Sequence, residues 1–186
     1  MTKKKKITLI TGIIIFLLLA LGYVATKFFV SASSVKNKKI EKPVYQNTPQ
    51  VLQEKEEIRN KLIEYEDIHI DGLKIIAQGL EDSDTLSVHS QARKSIQDVT
   101  MILTDLETQD WGNTDDENFN KAAKELHQDA ITAYQYKLEF LEICAVWSQE
   151  NPGKNLLKII NLSTKMADYW EYFIKKENIY LDNTEK

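Results

Sequence analysis

The 186-residue chain carries 24 Lys and Arg against 28 Asp and Glu, a formal net charge of −4, with one cysteine. The first 40 residues hold eight of those basic side chains and no acid, so residues 41–186 carry 16 against 28, a net of −12. An acidic domain of that balance argues against nucleic-acid binding, which needs a basic face to neutralise phosphates, and a lone cysteine excludes an internal disulfide.

A short lysine-rich tail, residues 1–6, precedes Ile7–Val24, eighteen residues without a charge. At about 1.5 Å per residue this run spans roughly 27 Å, close to a bilayer's hydrocarbon thickness. Extension to Val30 crosses Lys27, whose long stem can carry its charge to the interface. The pattern predicts a single transmembrane anchor over 7–30, in contact with membrane lipid through its lysine-rich flanks. A cleaved leader would have a shorter apolar core, about 7–15 residues, and the one small-residue site, Val30-Ser31-Ala32, stands beyond Lys27-Phe28-Phe29. Lysines flank both sides of the run, so topology rests on what must cross. Four adjacent lysines resist translocation, whereas a long C-terminal domain crosses largely regardless of charge. The expected arrangement is a cell-membrane protein with a cytoplasmic N-terminus and an extracytoplasmic domain.

Residues 31–47 are polar and basic with no apolar period, and read as a spacer. Thr48-Pro49 then supplies a helix N-cap followed by proline at the first helical position. A first helix is expected over 49–80, with Ile58, Leu62, Tyr65, His69, Leu73, Ile76 and Leu80 on one stripe. Glu81–Asp84 makes a turn. A second helix over 84–107 buries Val88, Ala92, Ile96, Val99, Ile102 or Leu103, and Leu106. Asp110–Asn113 breaks it, with Trp111 packing back on the bundle. Thr114 and Glu117 have capping-box spacing and open a third helix expected to reach Gln149. Asn151-Pro152-Gly153 stops it, and a fourth helix follows over 154–178 before a polar tail, 181–186. Sustained two-residue alternation is absent. The fold class is therefore all-α: the anchor, then an antiparallel up-down four-helix bundle over 48–180.

The third and fourth helices are apolar over wide arcs. Tyr134, Leu138 and Leu141 lie beside Ala133, Tyr136, Phe140, Ile143 and Trp147; Leu156, Ile160, Ala167, Trp170 and Ile174 lie beside Ile159, Leu162, Met166, Tyr169 and Phe173. Arcs that broad belong to a central helix or meet a partner. Tyr169, Trp170, Tyr172 and Phe173 form the candidate partner-binding patch, across the turn from Tyr134 and Tyr136. Tyr172 falls on neither stripe, which makes it the position to suspect of exposure.

Recognisable chemistry is absent. Glu66 and His69 make one Glu-x-x-His pair, but His89 follows Leu86 and His127 follows Lys124, so half the ligands of a di-iron bundle are missing. Haem, zinc and phosphate-loop motifs are missing, and so is a serine-nucleophile elbow. Ser87, His89 and Ser90 diverge around a helix axis. Cys144 sits among Phe140, Ile143 and Trp147 without a cationic neighbour, as a small buried hydrophobe rather than a nucleophile. No enzyme, cofactor or metal is expected. The chain reads as a membrane-anchored interaction or envelope-associated accessory factor with a protein partner, or alternatively as a ligand-binding or sensory bundle acting through one.

Overall fold

The computed structural model describes residues 39–147 and 152–181, the side chains at 69, 70, 152–154 and 156 apart. The anchor over 7–30 and its flanks, the pair role of His69, and the last residues of the tail lie outside that description. Among the described residues no helix is long and apolar enough to cross a membrane. Four α-helices and no strand occur there: α1 (Pro49–Glu81), α2 (Thr85–Thr108), α3 (Glu117–Cys144) and α4 (Pro152–Leu181).

Helix ends follow local chemistry, though not always at the expected residue. Thr48 caps α1, its side chain accepting from Val51 N–H with Pro49 in the first turn. That helix stops in a turn where Ser83 adopts φ +56°. Asp84 N–H reaches back to Gly79 C=O at 2.8 Å and Ser83 N–H to Leu80 C=O at 3.4 Å, the Schellman arrangement usually built on glycine. For α3 the expected Thr114 cap is replaced by Asp116, whose carboxylate accepts Phe119 N–H at 2.9 Å. Thr114 is engaged elsewhere: its hydroxyl donates to Asn120 Oδ1 at 2.8 Å, and Asn120 Nδ2 donates back to Thr114 C=O at 2.9 Å. The same helix ends at Cys144 rather than near 149. Trp147 turns inward there to bury its indole, and its carbonyl takes the His89 ring nitrogen. Pro152, expected only as a stop, opens α4, since its missing N–H costs nothing in a first helical turn.

Consecutive helices pack against each other, α1 on α2, α2 on α3 and α3 on α4. Cross-contacts run in reverse order, so each neighbouring pair is antiparallel. Tyr65 meets Asp105 while Gly72 faces Ser95; His127 meets Leu106 while His89 meets Trp147; Asp129 meets Lys176 while Glu139 meets Lys165. The predicted stripes supply the core, including Ile58, Leu62, Tyr65 and Ile76 of α1 and Val88, Ala92, Val99, Ile102 and Leu106 of α2. Each buried Val, Leu or Ile among them contributes about 1.5–3 kcal/mol. On α3, packed between two neighbours, both apolar rows are used: Ala133, Tyr134, Phe140, Leu141 and Ile143 are all buried.

The spacer expectation needs correction at its C-terminal end. The compact unit begins at Lys39, and Tyr45 is a core residue. Its ring meets Phe119 edge-on at 5.1 Å, Lys55 Nζ lies 5.5 Å from the ring centre, and its hydroxyl donates to Tyr180 C=O. Gln46 N–H donates to Asp116 at 2.8 Å and Thr48 Oγ1 to Asp115 at 2.6 Å. The bond from Gln46 N–H first, and that from Phe119 N–H second, hold Asp116 below the usual carboxylate range. Residues 45–48 are thus a strap joining the start of α1, the start of α3 and the end of α4. Composition hid this, because one aromatic in a polar run carries no periodicity.

Candidate functional site

The predicted aromatic patch exists as a cluster but is not a surface. Tyr136 meets Tyr169 at 5.1 Å, Tyr169 meets Tyr172 at 5.7 Å, Tyr134 meets Trp170 at 5.5 Å and Trp170 meets Phe173 at 5.4 Å. The expected pairing of 169–173 with Tyr134 and Tyr136 is what forms. Tyr172, the residue suspected of exposure, is 6% exposed, and Phe173 is 1% exposed. Tyr169 and Trp170 are half-buried. Edge-to-face neighbours fill the α3–α4 seam widely enough to enclose a ring that lies off both stripes.

Two buried lysines accompany these rings. Lys176 bonds Asp129 Oδ2 at 2.6 Å, and Tyr169 donates to the other oxygen at 2.8 Å. Burial opposes the Lys176 ammonium, but the bond to Asp129 and its charge prevail and raise its pKa. Lys137 is 3% exposed, its Nζ 3.0 Å from the centre of the Trp170 ring and 4.8 Å from that of Tyr134. Burial pushes its amine well below the ordinary lysine range, against the pull of Glu66. A neutral amine is a nucleophile in principle, but this one is sealed from solutes by its rings. Cys144 is equally enclosed, its thiol pushed up to about 12 by burial, so it stays protonated and unreactive at neutral pH. Among the described residues no three His, Cys, Asp or Glu side chains form a group able to hold a metal ion.

Exposed apolar side chains occur at Val146 after α3 and Leu157 of α4, but those that flank a shared groove lie on α1 and α2. Leu52, Ile63, Ile68 and Ile75 of α1 and Met101 of α2 are exposed. Between these helices runs an open groove of about 580 Å³, lined by Tyr65, Ile68, Met101 and Ile102 with Glu64, Thr104, Asp105 and Thr108. A polar chain backs it. Lys61 bridges Glu64 and Asp105, each at 3.0 Å. Tyr65 donates to Asp105 at 2.7 Å, Gln109 donates to the Tyr65 hydroxyl at 3.0 Å, and Trp111 Nε1 donates to Gln109 at 2.9 Å. The bonds from Tyr65 and then Lys61 hold Asp105 below the usual carboxylate range. The tyrosine's own pKa is raised, by burial first and by Asp105 second.

The apolar stripe of α1 leaves over Ile63, Ile68 and Ile75. Those leftovers were the available signal: apolar residues off a buried stripe that nothing else in the helix explains. Comparison with protein-family models, curated proteins and solved structures finds no match to this chain, so the site is read from its geometry alone.

Proposed function

We propose that this protein is a non-enzymatic interaction module, held at the cell membrane by a single transmembrane helix over 7–30, with its N-terminus cytoplasmic and an up-down four-helix bundle outside. Its role is that of an accessory factor engaging a protein partner through the α1–α2 face. One observation carries the reading: Ile68 and Met101 stand 36% and 56% exposed beside one continuous groove, whereas the aromatic residues of α3 and α4 are spent on packing. Adjacent exposed apolar side chains with a polar rim are the usual mark of a protein contact.

The alternative, a small-ligand or sensory bundle, is favoured by the groove volume, which lies within the range of about 300–1,000 Å³ typical of ligand sites. A photo-crosslinking side chain at Met101, compared with one at Glu142 on α3, separates the two in native membranes. Capture of a specific protein at 101 and not at 142 is the expected result. Absence of capture at 101, together with a small molecule that raises the melting temperature of the full chain, would transfer the groove to the alternative.

A further inference from the structure

The hydrogen-bond inventory of the groove is one-sided. Thr104 donates its hydroxyl proton to Thr100 C=O at 2.9 Å, and Thr108 donates to Asp105 C=O at 2.8 Å. The Tyr65 proton goes to Asp105. Glu64 and Asp105 are carboxylates and can only accept. Of the nearby donors, Lys61 spends two of its three protons on the two carboxylates and Gln109 donates to the Tyr65 hydroxyl, and neither lines the groove. Every polar side chain lining the groove therefore offers lone pairs and has no proton to give an occupant, while a carboxylate has about four acceptor sites, more than Lys61 and Tyr65 occupy. The floor between these acceptors is apolar: Ile68, Met101, Ile102 and the Tyr65 ring. Lining positions 64, 65 and 68 on α1 and 101, 102, 104, 105 and 108 on α2 follow two adjacent helix faces, and Ile75, two turns beyond Ile68, is exposed on the same side of α1.

We infer that the α1–α2 groove docks a cationic amphipathic helix of the partner protein, an apolar row seated between Ile68 and Met101 and Arg or Lys side chains along its edge donating to Glu64 and Asp105. The inference rests on the interaction reading above and names the chemistry of its partner. An acidic or purely apolar helix would bury the acceptor sites of Glu64 and Asp105 that Lys61 and Tyr65 do not fill without supplying them donors, a penalty that discriminates between partners.

The test uses the full chain in uncharged phosphatidylcholine nanodiscs, with empty discs subtracted, and a fluorescent helical peptide of about 18 residues, five turns, bearing a Leu row flanked by Arg. Two controls replace Arg with Glu, or Leu with Ser. The Arg–Leu peptide is expected to bind at least about 10-fold more tightly than either control. Met101→Lys and Ile68→Lys, both at exposed positions, should each cost about 10-fold, and Glu64→Gln should weaken binding and flatten its salt dependence. Equal binding of the Glu–Leu peptide would overturn the inference. Binding indifferent to Met101→Lys and Ile68→Lys would do the same, as it marks general attraction to an acidic surface, and so would full displacement by millimolar benzamidine. A native partner crosslinked at Met101 that has no basic helix would remove this inference and leave the interaction reading intact.

Discussion

The Lys176 ammonium lies 2.6 Å from Asp129 Oδ2 at a seam where both side chains are largely enclosed, 7% and 12% exposed. Tyr169 donates to the second carboxylate oxygen and Tyr180 donates to Glu125 one turn away at 3.0 Å. Tyr169, one of the four residues that looked like a partner surface, thus belongs to an internal polar ladder between α3 and α4.

Asp129→Asn keeps the shape of the ladder and removes its charge, leaving the Lys176 ammonium only the longer pairing with Glu125 at 3.6 Å. Unfolding in urea should show a loss of about 3 kcal/mol, because a buried charge that loses its close partner costs far more than an intact pair contributes. The double replacement Asp129→Leu with Lys176→Met should recover most of that loss. A double variant no better than the single one would mean that shape, not charge, dominates the seam.

The two lysines buried in the α3–α4 seam, Lys137 and Lys176, should respond to alkali in opposite directions. Lys176 has a raised pKa, so its contribution is complete below the ordinary value of 10.5 and fades as pH rises through the raised value. Lys137 is lowered, so it penalises the folded state at neutral pH, and that penalty is relieved as pH climbs from the lowered value towards 10.5. Urea midpoints of the wild type should therefore gain on those of Lys137→Met between pH 7 and 10. A constant difference across that interval would show that the Lys137 amine is not desolvated.

Tyr45→Ala should cost about 3 kcal/mol, as expected for a buried aromatic, and Tyr45→Phe about 1 kcal/mol, for the bond to Tyr180 C=O. A chain beginning at residue 48 should melt lower than one beginning at 39. Equal melting temperatures would return the strap to the status of a spacer.

Gly112 has φ +85°, and a Cβ placed on it would lie 2.4 Å from Asn120 O and 2.7 Å from Asn120 Cα. Both are backbone atoms that cannot move aside cheaply. Gly112→Ala should therefore destabilise by about 1–3 kcal/mol, read as a lower urea midpoint. The damage should concentrate at the Trp111–Asn120 loop, where exchange of the Thr114 amide with deuterium should accelerate.

Four helices and most of their buried faces were legible in the sequence, because a 3.6-residue apolar period and a Thr-Pro start are local signals. Thr48 and the Val88–Leu106 stripe are examples. The Asp116 cap was legible only in part. A Thr and an Asp two residues apart offer equivalent caps, and the choice fell to Asn120, which occupies Thr114, and to Gln46, which comes from 70 residues away. Tyr172 was misread for a related reason: its stripe position is a property of one helix, whereas its burial is set by Tyr169 and the width of the α3–α4 seam.

By itself the sequence determined an acidic all-helical domain, the turns after Leu80 and Thr108, its single thiol and the absence of recognisable catalytic motifs. Each of those follows from composition or from spacings of a few residues. Only the tertiary structure decided which apolar residues remain exposed, that Lys137 and Lys176 go inside, and that the chain from Tyr45 onward belongs to the core. These outcomes depend on which helices become neighbours, and helix adjacency is a long-range relation that no local period encodes.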